Sequence, residues 1–216
     1  MFPYVISLII CLSLSCAGKQ PVPEIYEENA SEVDEVELLT RLAADSIDFE
    51  LLEWAIFQET NQQRERLGLP PLKFEPKLQN AATQHSTEMI ELGYFEHESP
   101  VEEYRTVAQR VKLAGIKNGV SGENLAKHPV NRKLEIIFKD TNSEFRSNKY
   151  KWRNTGSNYT YDEFAEELVT RWMHSPGHRN NITNRYYKYL GVGAAVTKIA
   201  DVDIFFVTQN FSTTNY

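Results

Sequence analysis

His174 and His178 stand four residues apart, the spacing at which one helical face can offer two imidazoles to a zinc ion. Pro176 and Gly177 lie between them, so no continuous helix carries both, and Ser175 occupies the place where that pattern needs a general-base glutamate. A zinc-protease helix is excluded. Nucleophilic hydrolysis finds little support either. There is no Gly-x-Ser-x-Gly elbow, and the two cysteines, Cys11 and Cys16, both lie within the first sixteen residues. His85 falls on the apolar face of its own helix with Leu78, Ala82 and Met89, which reads as a satisfied core histidine. A different chemistry is offered by Lys149, Lys151 and Arg153, which interleave with Tyr150, Trp152 and Tyr159. Basic and aromatic side chains in alternation suit an anionic polysaccharide, lipid headgroups or nucleic acid. A solvated hairpin whose aromatics pack on the domain would look the same.

The charge distribution narrows these options. Between Gln20 and Tyr104 there are 20 acidic and 5 basic side chains, and between Arg105 and Tyr161 there are 12 basic and 4 acidic. An acidic start and a total of −7 argue against nucleic acid as the partner. The apolar run from Leu8 to Ser15 is too short to span a bilayer, which takes about 20 residues, and fits the core of an export signal. Cys16, followed by Ala17-Gly18, resembles a bacterial lipoprotein processing site, so residues 1–16 are expected to be a signal peptide with Cys16 as the lipidated residue. A membrane would then be reached through Cys16. Residues 17–47 read as an acidic tether, and 48–216 as one folded domain that must rely on its core without disulfides.

The elements that must position any site follow from period and punctuation. Leu52, Ile56 and Leu67, flanked by Phe49 and Trp54, predict a first helix that Gly68 and Pro70-Pro71 end. Pro76 opens a second, with Leu78, Ala82, His85, Met89 and Leu92 inward and Gly93 as its stop. Residues 101–114 predict a third, with Tyr104, Ala108 and Val111 on one face. Residues 118–126 are extended, and 127–161 form an insertion without helical period. The capping box at Thr160 and Glu163 opens a fourth helix that buries Phe164, Leu168 and Trp172. Residues 190–197 and 202–211 predict two antiparallel strands joined near Ala200. Helices first and strands last indicate an α+β layered fold.

Seven landmarks run in order: Asn61-x-x-Arg64 with Gly68-Leu69-Pro70-Pro71-Leu72; Ala82-x-x-His85-Ser86-x-x-Met89; Gly93-Tyr94-Phe95-Glu96-His97; Arg110-x-x-x-Ala114-Gly115; Gly122-Glu123-Asn124-Leu125-Ala126; Trp172-Met173-His174-Ser175-Pro176-Gly177-His178; and Leu190-Gly191-Val192-Gly193. In this order and spacing the chain resembles the CAP superfamily (cysteine-rich secretory, antigen 5 and pathogenesis-related proteins) in its bacterial form. The resemblance implies a three-layer αβα sandwich with a central antiparallel sheet.

It also implies a cavity lined by His97, Glu123 and His178, with Asn124 beside Glu123. Ser175 stands where many members carry a further glutamate, which leaves three of four polar groups. His97 and His178 become candidate ligands for Zn²⁺ or another divalent cation, which need not be a required cofactor. Glu123 becomes the candidate general base of an alternative, metal-dependent hydrolase. The leading expectation is an exported binding module that takes a metal, a small or lipid-like molecule, or a surface lipid or polysaccharide. The same three residues could instead form a polar cluster that only fixes loops.

Overall fold

The computed structural model describes residues 38–43, 45–132, 134–139, 150–154, 156–200 and 202–216, with 134–139 and 150–154 as backbone strands. The expected signal peptide, Cys16 and most of the expected acidic tether lie outside the described residues. Among those described, no helix is long and apolar enough to cross a membrane.

Helix α1 (Phe49–Arg66) is started by Asp48, whose Oδ1 accepts the Leu51 N–H at 3.0 Å, and Arg64 and Arg66 lie in its last turn. Acidic starts and basic ends suit the helix dipole. Gly68, at φ +68°, lets the chain leave the helix. After the two-residue strand β1 (Lys73–Phe74), helix α2 (Pro76–Glu91) opens on proline with Glu75 as its cap. The predicted helix over 101–114 is two pieces, a 3-10 turn at Glu102–Tyr104 and helix α3 (Val107–Leu113). The break falls at Thr106, which forms a reciprocal capping box with Gln109 and so restarts the helix. Strand β2 (Ser121–Pro129) is followed by β3 (Leu134–Lys139) and β4 (Tyr150–Asn154), which pair as a separate antiparallel hairpin. Helix α4 (Tyr161–His174) begins at the Thr160–Glu163 box. Proline 176 does more than end it: helix α5 (Pro176–Ile182) starts there after one extended residue, Ser175. Strands β5 (Tyr189–Ile199) and β6 (Val202–Ser212) close the fold.

The main sheet has the order β1-β5-β6-β2. β2, β6 and β5 are antiparallel, and only β1, paired through Lys73–Tyr189 and Phe74–Leu190, runs parallel at the edge. Alternation along β5 separates two layers. A Cβ on Gly191 or Gly193 would collide with the backbone of α2 at Gln79 or Thr83, so α2 lies directly on that face. Leu190, Val192 and Ala194 face the opposite side and join Leu52, Ile56, Phe164, Leu168 and Trp172 of α1 and α4 in the main core. The result is an αβα sandwich with a mixed rather than wholly antiparallel sheet.

Three expected core positions sit elsewhere. Leu67, Leu92 and Ala108 are exposed at helix ends, where the chain turns away from the layer beneath. Tyr159, expected within a basic–aromatic surface, packs edge-on against His128 and Phe164, with Arg132 over its ring. The remaining aromatic and basic side chains of that stretch lie outside the described side chains.

Candidate functional site

Glu123 is the third residue of β2, and its two neighbours in the strand point to the face opposite its own. Its own side chain turns toward α2 and α3, while Asn124 turns toward α5. Gly122, immediately before, is required by its surroundings: a Cβ there would strike the Tyr187 hydroxyl and the Asn181 side chain.

The Glu123 carboxylate is buried, and both oxygens are engaged. Oε1 accepts from His97 Nδ1 at 2.8 Å, and Oε2 accepts from Arg110 at 2.6 Å. Asn210, with its amide turned to satisfy both ends, adds a third donor to the carboxylate, at Oε2 and 3.2 Å. The Arg110 guanidinium is fully buried. It also donates to the carbonyls of Tyr104 (2.7 Å), Arg105 (3.2 Å) and His97 (3.1 Å). Arg110 therefore supplies the counter-charge a buried carboxylate needs and pins the loop that carries His97. His85 lies behind this pair, with Nε2 3.9 Å from Glu123 Oε1. Its ring is bonded to the Glu96 carbonyl at 3.2 Å and to the Tyr94 hydroxyl at 3.3 Å. Burial lowers its pKa, so it stays a neutral spacer.

His97 faces out. Its side chain is 58% exposed, and the hydrogen bond to Glu123 raises its pKa against the effect of partial burial. With Nδ1–H held by the carboxylate, Nε2 is the nitrogen presented outward. His178, on α5, has its pKa lowered by burial and further by charge on His97, so the two imidazoles are electrostatic neighbours. Its ring meets the Trp172 indole edge-on, with centroids 6.4 Å apart. The α5 backbone is clamped to β2. Asn124 donates to the His178 carbonyl at 3.2 Å, and Asn181 donates to Asn124 Oδ1 and to the Glu123 carbonyl, both at 2.9 Å. Trp172 Nε1 donates to the Leu125 carbonyl at 3.0 Å, joining α4 to the same strand.

The expected residues thus take different parts. His97 and Glu123 bond directly, and His178 lies beside them. Asn124 is fully buried and acts as a clamp. Ser175 caps α5 through its backbone, and its hydroxyl makes no hydrogen bond to the other four. Among the described residues no group of three or more His, Cys, Asp or Glu side chains is placed to share a metal ion. Glu123 cannot join the two candidate ligands on one ion, because it is bonded to the Nδ1 side of His97, away from the outward Nε2, so only the two imidazoles remain. Arg110, His85, Asn181 and Asn210 were not expected in the site. Arg110 opens one of the ordered motifs, but its sequence neighbours carry no signal that it pairs with Glu123.

Comparison with known proteins identifies the family and the fold. The CAP (cysteine-rich secretory protein family) model matches residues 57–211. The Bacillus subtilis protein YkwD is 29% identical over 141 residues, covering 65% of this chain and 41% of its own. The Bacillus subtilis membrane protein YlbC is 27% identical over 159 residues, covering 74% of this chain and 34% of its own. A crystal structure of an extracellular SCP-domain protein from Bacillus anthracis superposes with a TM-score of 0.54 at 25% identity, covering 81% of this chain and 45% of that one. The chain spans less than half the length of each of these relatives.

Proposed function

The chain belongs to the cysteine-rich secretory protein (CAP) family, and from that premise we propose that it is an extracytoplasmic binding module whose ligand docks on His97 and His178. The observation that carries this reading is the double engagement of Glu123. A general base needs a free lone pair within reach of the proton it removes. Here one oxygen of Glu123 orients His97, the other neutralises Arg110, and the side chain is only 2% exposed, so no substrate proton comes within its reach. Glu123 is therefore a positioning residue, and a hydrolase that uses it as the base is disfavoured. A buried carboxylate that fixes the proton on Nδ1 leaves an exposed Nε2 aimed outward, an arrangement also found behind metal-bound imidazoles. The ligand is a small or lipid-like molecule with a polar, electron-rich group. A divalent cation would have His97 Nε2 and His178 as its protein contacts. The export signal expected at residues 1–16 and the extracellular Bacillus anthracis relative support a location outside the cytoplasm. Lipidation at Cys16 would hold the domain at a membrane surface.

The test is a titration of the mature domain with Zn²⁺ and, separately, dodecanoate. Wild type is compared with a variant carrying His97→Ala and His178→Ala, alongside a peptide-hydrolysis assay. Binding lost in the double variant, without turnover in either protein, supports the module. Turnover that the double variant lacks supports the hydrolase and overturns this reading.

A further inference from the structure

The chain carries a net charge of −7, yet it has no acidic residue from Tyr104 to Gly122 and no charged residue at all from Ile204 to Tyr216. The fold brings these two stretches together at one end of the sheet. Gly115 (φ +101°) and Gly119 (φ +98°) turn the chain between α3 and β2, and Ile116 between them is buried against Leu78 and Val111. The turn is tied to the tail beyond β6. Thr214 Oγ1 donates to the Asn118 carbonyl at 2.6 Å, and the Thr213 N–H donates to the Val120 carbonyl at 3.1 Å. With the backbone held and Ile116 inward, Lys112, Leu113, Lys117 and Val120 are left exposed. Lys77 of α2 joins them: its stem lies against Gly115, and its Nζ donates to the Asn215 carbonyl at 3.1 Å. We propose that this end of the sheet is a docking surface for a membrane that carries anionic lipid headgroups.

Charge is the first of two separate observations. Lys73 and Lys188, both exposed, continue the basic surface along the β1–β5 edge. The Lys73 N–H meets the Lys188 carbonyl at 2.8 Å, and the Lys188 N–H meets the Ser212 carbonyl at 2.9 Å. Glu75, between Lys73 and Lys77 in sequence, does not neutralise the patch from outside. It is buried and accepts the Lys77 N–H as the cap of α2. Lysines near an anionic lipid surface each strengthen partitioning by about fivefold. The acidic remainder of the molecule is repelled by the same surface, so this end turns toward it.

The second observation selects a lipid surface over a polyanion in solution. Among the lysines, Leu113 is 52% exposed and Val120 64% exposed. A soluble polyanion gains nothing from these side chains, whereas at headgroup level they leave water and the lysine stems lie along the same apolar boundary. The surface uses neither His97, Glu123 nor His178, so it stands or falls apart from the ligand site proposed above.

The experiment sediments the mature chain, residues 17–216, which lacks Cys16 and so any acyl group on it. The vesicles are one part phosphatidylglycerol to two parts phosphatidylcholine. The expected result is saturable binding that falls about tenfold or more as salt rises from about 50 to about 500 mM, with none to pure phosphatidylcholine. Lys112→Gln with Lys117→Gln should weaken partitioning about thirtyfold. Leu113→Ser with Val120→Ser should weaken it about tenfold, a fraction of the full burial of two apolar side chains. All four positions are exposed, and amide spectra verify the fold of each variant. The variant carrying His97→Ala and His178→Ala should bind vesicles as wild type does. No binding, equal binding to neutral vesicles, or an unchanged lysine variant overturns the proposal. Vesicle binding lost in the histidine variant assigns it to the imidazole site and overturns the proposal too. Soluble polyphosphate bound as tightly as vesicles, with Leu113→Ser and Val120→Ser without effect, overturns the membrane in favour of a polyanion in solution.

Discussion

Replacing Glu123 by glutamine keeps the side chain's size and removes its charge, leaving Arg110 buried with only the carbonyls of Tyr104, Arg105 and His97 as acceptors. Arg110 Nε already lacks a partner, so there is no spare acceptor to compensate. Deleting one member of a buried ion pair costs about 3–5 kcal/mol. For a domain of this size each kcal/mol lowers the midpoint of thermal unfolding by roughly 2–4 °C, so a fall of about 6–20 °C is expected in scanning calorimetry. The pairing itself is isolated by a double-mutant cycle with Arg110→Met. On the Glu123→Gln background, Arg110→Met should cost less than it does alone, with a coupling of about 2 kcal/mol or more. Strictly additive effects, or a loss below about 1 kcal/mol for Glu123→Gln, would refute the reasoning that the two charges depend on one another.

Other consequences are open to direct measurement. Glu53 has its pKa raised from 4.5 to about 7 by burial, so the folded state holds a proton that the unfolded state releases. Stability contributed by this group is full below pH 4.5 and declines as pH rises through 7, by about 3 kcal/mol for a shift of that size. Chemical denaturation at pH 5 and pH 8 should display the decline, and Glu53→Gln should flatten it. Gly193→Ala drives a methyl group into the α2 backbone at Thr83, and a loss of about 3 kcal/mol is expected from denaturation midpoints. Asn181→Ala removes two hydrogen bonds between α5 and β2 and should cost about 1–3 kcal/mol, with faster hydrogen exchange confined to residues 176–182.

The layers were legible because their signals are local. Pro76 and the Thr160–Glu163 box mark helix starts through one or two side chains each, and the alternation of β5 and β6 needs only period two. The missed break at Thr106 was local too, but Gln109 serves there in the role more often given to glutamate. Parallel pairing of β1 was not legible, since a two-residue strand carries no period and its register depends on Tyr189, more than a hundred residues away. In the site, His97 and Glu123 were reached through motif position, whereas the tie between them came only with the fold. Arg110 looks like a surface cation on a short helix. Nothing in its neighbours states that its side chain turns inward to span the His97 loop and β2. His85 was read correctly as a core residue, but its position behind Glu123 depends on how α2 packs over the sheet.

The most direct test is a nuclear magnetic resonance titration of the imidazoles of His97 and His178 in the wild-type domain. An outward-facing imidazole held by a buried carboxylate requires His97 to titrate above the ordinary 6.5 and His178 below it, with His97 falling when Glu123 is replaced by glutamine. His97 titrating at or below His178, or unmoved by that replacement, would contradict the account.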